Sequence, residues 1–344
     1  MAEHWQVDVL DRNDRPTGLV LPITGGSLDW SQFKPVRGGG SLSLASPPDV
    51  DWLTARLRIR HHRDGEPPRP VGVWLPILPG WQHTSTTVTG SVTVLDKTEL
   101  LNQPVGARHQ VPAGTVITDM VAQIIRNHGE EALALTPSAA TTRTALLWEP
   151  QDTWLKVTND LLDAAGYAAL WVDPRGWWRA EPWTPPNRRP VIATYGGNDG
   201  DYLMTPSFQD EADLSSIPNE VVAIAAGDDT RPGLIGRAQN TAPDSPLSIP
   251  ARGRVIRRVV DGLEAASQAV IDQHARRLLA ESSEVTRRVT WTHPLDDADL
   301  GDRIHLRPLD MSGVIVERKI TLGLGAVVTD TARNIYTGGQ LWQL

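Results

Sequence analysis

The chain has no cysteine in 344 residues. That absence removes disulfides, thiolate metal sites and cysteine nucleophiles together. Lysine is scarce, with only Lys34, Lys97, Lys156 and Lys319 among 33 basic residues, and two phenylalanines stand against thirteen tryptophans. A GC-rich genome produces such an excess of Arg, Ala, Pro and Trp without functional pressure, so the tryptophan count alone does not argue for sugar binding. No apolar run approaches the roughly 20 residues that span a bilayer. The N-terminus, MAEHWQVDVLDRND, lacks the apolar core of a secretory signal. The expectation is a protein made in its host's cytoplasm, with no membrane insertion by this chain, that stays soluble or leaves within something assembled there. Positive charge is also in deficit: 33 basic residues face 41 acidic ones, a net charge of −8. Coating duplex DNA needs clustered Lys and Arg, so that role is disfavoured, whereas a surface that DNA passes without sticking is compatible. There is no G-x-S-x-G elbow, no H-E-x-x-H and no Walker loop.

What is present reads as β-structure interrupted once. Short runs at Trp5–Leu10, Gly18–Leu21, Gly25–Phe33, Ser41–Leu44, Leu53–Arg60, Val71–Leu78 and Thr86–Leu95 are separated by Gly and Pro, the punctuation of a barrel or sandwich. In LTARLRIR, period two puts Leu53, Ala55, Leu57 and Ile59 on one face and Arg56, Arg58 and Arg60 on the other. Gly38-Gly39-Gly40 reads as a break or turn rather than a phosphate loop. The pattern then becomes helical. TVITDMVAQIIRN, Thr115–Asn127, is amphipathic, with Gly114-Thr115 as its cap. Gln151–Ala165 carries an apolar stripe and ends at Gly166, where a left-handed residue is wanted. The hairpin around Asp173-Pro174-Arg175-Gly176 follows, bearing Trp171, Trp177, Trp178 and Trp183. Neither helix nor hairpin can bury its apolar face alone, so they pack on each other or on a neighbour. Further on, NEVVAIAA at Asn219–Ala226 is a buried strand, Gly227–Ile249 a long polar excursion, and Val255–Val260 a strand. Gly262–Ser282 is a helix, and Val285–His293, Arg303–Pro308, Gly313–Leu322 and Gly325–Leu341 are strands.

The order of these segments carries a resemblance. WLKVTNDLLDAAGY, LWVDPRGWWRAEP, IPNEVV, QHARRLLAE and HPLDDADLGDRIHL follow one another after GGSLDWSQFKPVRGGGSLSL, LTARLRIR and GSVTVLDKTELLNQP. Together they resemble the minor tail proteins of siphophages infecting actinobacteria and, more broadly, the tail hub family; the resemblance covers most of the chain. It implies a β-rich α+β fold with two tube-type β-barrel domains and an intervening α/β domain. Residues 1–97 would be the first tube domain. Residues 98–200 would be an α/β decoration with the helix and hairpin, and residues 201–344 the second tube domain with the helix 262–282. The resemblance also implies a homotrimeric hub at the tail tip that adapts the sixfold tube to a threefold tip. Its partners would be the distal tail protein, the tail tube, the tape-measure protein and other tail-tip proteins, with DNA only in passage. The family has no catalytic residues in this core, so the chain is not expected to be an enzyme, and no catalytic, cofactor or metal residues carry over. The chain ends at Leu344 without a long C-terminal spike, fibre or enzyme domain, which puts receptor binding by this chain in doubt. A second reading is a Trp-rich carbohydrate or cell-wall binding module of the tail tip.

Several groups could carry chemistry, each with a plainer reading. His61-His62 and His83 could be ligands, or loop histidines without function. His128 at a helix end favours the dipole. Asp296, Asp297, Asp299 and Asp302 could hold calcium, although their spacing is not that of an EF-hand; a solvated turn is the plainer reading. Asp199, Asp201, Asp210 and Glu211 could be paired glycosidase acids, but nothing in the sequence sets their separation. Arg56, Arg58 and Arg60 could meet nucleic acid; a solvated face or an ion-paired ring between subunits suits the net charge better. Arg287 and Arg288 could stack on Trp291, or lie at a subunit contact or plain surface.

Overall fold

Period-two alternation over the first hundred residues resolves, in a computed structural model, into seven antiparallel strands. The structure describes residues 3–142, 145–197, 200–213, 217–225, 233–242, 245, 247–263, 268–282 and 286–335. The strands are β1 (Glu3–Leu10), β2 (Pro16–Val20), β3 (Ile23–Ser31), β4 (Gly38–Leu44), β5 (Arg56–Arg63), β6 (Arg69–His83) and β7 (Val88–Asp96). They pair in the order β2-β1-β5-β6-β7-β4-β3. A backbone bond from Leu21 N to Val7 O, 2.8 Å, carries the pairing of β1 with β2 one residue beyond Val20. Inside lie Val7, Leu28, Leu42, Leu57, Ile59, Trp74, Val92 and Val94, all sealed from solvent. Each such side chain contributes about 1.5–3 kcal/mol on burial, which is why the inward register is unambiguous.

Two readings of this region change. The triple glycine is not a turn but the start of β4: a Cβ on Gly40 would lie 2.3 Å from Ser27 O, so glycine is what lets β4 pass so close to β3. The run LTARLRIR is a strand only from Arg56 onward; Leu53 sits in the preceding turn and is almost wholly exposed.

The sheet continues through strands from the other end of the chain. Met311–Thr321 pairs antiparallel with β3, from Glu317↔Ser31 to Thr321↔Ser27, and Val327–Asn334 pairs with Met311–Thr321. Arg303–Leu306 pairs antiparallel with Met311–Thr321 and parallel with Val191–Tyr195. Met1–Phe208 and Thr290–Ile335 thus form one compact unit, and Gln209–Val289 belongs to a second.

Between the two sets of strands lies an α/β piece. Its helices are α1 (Ile117–Asn127) and α2 (Trp154–Ala164). Thr153 caps α2 by accepting from Lys156 N (3.2 Å). Gly166, at φ +73°, closes it: Tyr167 N donates to Leu162 O and Gly166 N to Asp163 O, both 2.9 Å, the paired bonds of a Schellman motif. The hairpin strands Trp171–Val172 and Trp178–Ala180 follow, and Trp178–Ala180 also runs parallel to Leu133–Leu135. Val121, Ile125, Leu161, Leu162, Leu170 and Trp178 share one core, so helix and hairpin do pack together, with α1 as the third partner. Thr115 does not cap α1; its hydroxyl donates to Pro112 O (2.8 Å), and Val116 occupies the cap position without a side-chain bond.

The second unit has its own small core. Glu220–Ala225 is flanked antiparallel by Leu234–Gln239 and parallel by Arg257–Leu263. The helix Gln268–Ser282 packs on this sheet through Ile271, Ala275 and Leu279 against Val221, Ala223 and Ala238. Gly236 permits the close approach, since a Cβ there would meet Ile271 O at 2.4 Å. The polar excursion therefore contains a strand, Leu234–Gln239; residues 227–232, 243, 244 and 246 of it lie outside the described residues. The helix is described over Gln268–Ser282; Gly262 and Leu263 belong to a strand, and residues 264–267 of the expected helix lie outside the described residues. The last strand is described as far as Asn334, and residues 336–341 of the expected strand lie outside.

Candidate functional site: two buried ionic centres and an aromatic cleft

The aspartate-rich turn is solvated only in part. Asp296 is buried, and three neighbouring strands supply its partners. Tyr195 Oη donates to Asp296 Oδ2 at 2.6 Å, and His293 Nδ1 lies 2.9 Å from the same oxygen. His293 Nε2 lies 3.0 Å from Asp330 Oδ2. Arg318 reaches Asp296 at 3.4 Å, approaches Asp330 through Nε at 3.2 Å, and donates to Ala298 O. The Arg318–Asp330 approach is a charge contact without hydrogen-bond alignment, since neither atom is counted as bonded. Two cations and two anions balance in a sealed space. Burial opposes charge on His293, but hydrogen bonds to both carboxylates outweigh it and push its pKa up to about 9. Burial likewise pushes Asp296 up, and the bonds from His293 and Tyr195 with the charge of Arg318 hold it below the ordinary carboxylate range. Tyr195 is raised strongly by burial and its carboxylate neighbours. Asp297 is largely exposed, and Asp299 and Asp302 turn to backbone N–H groups of Leu300 and Asp299. The four carboxylates therefore diverge instead of converging on one cation. No group of three His, Asp or Glu able to hold a metal occurs among the described residues.

A second charge cluster ties the first strands to the α/β piece. Arg56 bonds Asp14 (2.8 Å) and Glu130 (2.5 Å); Lys97 bonds the same two carboxylates (both 2.6 Å) and Gly176 O (3.1 Å). Trp178 Nε1 donates to Glu130 Oε2 at 2.9 Å. Lys97 and Glu130 are buried, so the square of alternating charge is shielded from water. Burial lowers the pKa of Arg56, yet its carboxylate partners raise it further.

Other candidates fall apart. Arg58 and Arg60 converge on Asp8 at 3.1 and 2.7 Å, so this part of the arginine face is ion-paired within the chain. His61 and His62 sit on β5, not in a loop; His61 is buried against Trp5, and His62 stacks on His4. His128 bonds Ile124 O through Nδ1, 2.8 Å, at the α1 terminus. Asp201 pairs with Arg307 (2.6 Å), Asp210 with Arg287 (2.5 Å), and Glu211 is exposed; Asp199 lies outside the described residues. Asp201 and Asp210 thus face separate arginines.

An open cleft of about 890 Å³ lies within the first unit. Trp30 and Trp74, ring centres 5.1 Å apart, come from β3 and β6; Trp171 and Trp183 face it from the hairpin segment. Sequence reasoning did not bring these four rings together, because they are separated by up to 153 positions. It also missed His293, Arg318 and Asp330. Only His293 carried a local signal, three residues before Asp296 in HPLDD.

Comparison with known proteins gives no match to any protein-family model. No curated protein matches either. Solved structures do match. The tail protein of Neisseria meningitidis is 15% identical with a TM-score of 0.67 over 96% of each chain. The 43 kDa tail protein of prophage MuSo2 from Shewanella oneidensis is 11% identical, TM-score 0.66, over 96% of this chain and 98% of its own. The chain has the fold of phage tail proteins. A component of the E. coli type VI secretion system, itself similar to tail proteins of bacteriophage T4, matches at 10% identity and a TM-score of 0.51 over 96% of this chain and 77% of its own. The β-rich α+β tail fold thus includes both the strand-paired ends and the α/β piece between them. No helix among the described residues is long and apolar enough to cross a membrane.

Proposed function

We propose that this chain is a structural virion protein, the homotrimeric hub at the tip of a siphophage tail of the actinobacteriophage type. The observation that carries this reading is the match of almost the whole chain to almost the whole of a tail protein. Residues 1–97 serve as one tube domain and residues 201–344 as the other, with residues 98–200 as a decoration on the outside. Three copies then present six tube domains, the number needed to meet a sixfold tail tube from a threefold tip. The free edge of the sheet supports this. β2 is exposed along its length and, among the described residues, pairs only with β1, leaving Leu19 and Val20 open to another chain. The net charge of −8 suits a channel through which DNA and the tape-measure protein pass without adhering. The distal tail protein, the tail tube and other tail-tip proteins are its neighbours, and the chain carries out no catalysis.

The test is the mass of the purified protein by light scattering, followed by imaging. A trimer near three times 37.6 kDa that forms rings with a central channel is expected. A monomer that stays monomeric when mixed with the distal tail protein of the same phage overturns the hub.

A further inference from the structure

The cleft of the first unit has a chemistry that the hub role does not use. At about 890 Å³ it falls within the range of small-ligand sites, roughly 300–1,000 Å³. Four tryptophans line it. Trp30 and Trp74 meet at 60°, forming one wall from β3 and β6, while Trp171 and Trp183 belong to the hairpin segment. Trp183 is more than half exposed.

The polar lining is balanced. Six arginines face five aspartates and one glutamate. A phosphate or nucleic-acid ligand would call for an excess of arginine, and a cation site for converging carboxylates, which the described residues do not form. Several of these groups are already committed to each other: Arg179 to Asp173 at 2.8 Å, and Arg69 to Asp297 at 3.3 Å. Arg37 makes no ion pair among the described residues; burial lowers its pKa, and the charge of Asp96 only partly offsets this. Asp299 keeps nearly half its side chain accessible; its Oδ1 accepts from Leu300 N at 2.7 Å and lies 3.7 Å from Arg318. The cleft therefore offers planar donors and acceptors beside aromatic rings, of which Trp183 is the exposed one, with no net charge to satisfy. Aromatic rings that are apolar on the face and polar at the edge suit a ligand with C–H faces and a hydroxyl rim.

The geometry points to this cleft as a binding site for a neutral saccharide, held by stacking on Trp171 and Trp183, by hydrogen bonds donated by Arg37 and by sugar hydroxyls donating to Asp299. It gives the carbohydrate reading of the sequence a definite place in the chain, and it does not depend on the trimer.

The test is titration of the full-length protein with three soluble glycans: a β-1,4-linked N-acetylglucosamine tetramer, an arabinan oligomer and a galactan oligomer. Tryptophan fluorescence and calorimetry are read together. Saturable binding of at least one glycan is expected, weakened about tenfold or more in Trp183→Ala and in Arg37→Met, a loss of about 1.4 kcal/mol. Trp177→Ala, on the same hairpin and exposed but outside the cleft, is expected to bind as the parent does. Melting curves of all three variants establish that they fold. No saturable binding by any of the three glycans overturns the proposal. So does binding that survives both cleft variants, because the sugar then sits elsewhere. Either failure leaves the mass of the assembly, and hence the hub reading, untouched.

Discussion

His293 Nε2 lies 3.0 Å from Asp330 Oδ2, with both side chains sealed from solvent, and the other imidazole nitrogen faces Asp296. An imidazole bonded to carboxylates on both sides is held as the cation. Its pKa rises from 6.5 to about 9. The folded state thus binds the proton more tightly than the unfolded chain. The resulting stabilisation, on the order of 3 kcal/mol, is fully present below pH 6.5, declines between 6.5 and 9, and is gone above 9. Thermal melts at pH 6 and pH 9.5 are expected to show a clear fall in Tm for the parent. His293→Gln is expected to begin lower and to show a much smaller fall. Equal falls in both proteins would mean that the imidazole is neutral throughout.

Lys97 is the only fully buried lysine of the four, and it serves two carboxylates at once. Removing one partner from a buried charge cluster leaves uncompensated charge, which costs about 3–5 kcal/mol. Lys97→Met is expected to lose that much in urea unfolding. Lys34→Met breaks an exposed 3.2 Å pair with Asp29 and is expected to lose less than about 1 kcal/mol. Similar small losses in both would show that Arg56 alone holds Asp14 and Glu130.

Much of this fold was legible because its signals are local. Period two in Leu57 and Ile59, the stripe of α2 and the glycine at Gly166 each act within one turn or one strand pair. The triple glycine misled because its cause is not local: Gly40 is required by Ser27 on a neighbouring strand, thirteen residues away. The same holds for charge. Arg56 looks solvent-facing from alternation, yet it meets Glu130 across 74 positions. Arg318 likewise reaches Asp296 only once the strands are placed. Long-range ion pairs leave no periodicity in the chain, so the two buried centres and the four-tryptophan cleft emerged only from the fold.

The glycine argument has its own test. A Cβ on Gly40 would sit 2.3 Å from Ser27 O and 3.0 Å from Leu28 Cδ2, so the strands must part. Overpacking of this kind costs about 1–3 kcal/mol. Gly40→Ala is expected to lower stability by that amount in chemical unfolding. Gly323→Ala, where nothing lies within 4 Å, is expected to be close to neutral. A neutral Gly40→Ala would show that β3 and β4 tolerate a wider spacing.

The last prediction concerns the open edge. β2 uses one side for β1 and, among the described residues, leaves the other side unpaired, while Leu19 and Val20 are exposed apolar residues on that strand. A free apolar edge invites pairing with another chain, and lysine on an edge strand blunts it. If β2 closes the ring between copies, Leu19→Lys with Val20→Lys should convert a particle of three times 37.6 kDa into a single chain. Because both positions are exposed, the melting temperature of the separated chain should not fall through lost core packing. Light scattering on the double variant reads the mass, and calorimetry reads the fold. A trimer that persists with both lysines in place would take the interface away from β2 and assign it to another face of the sheet.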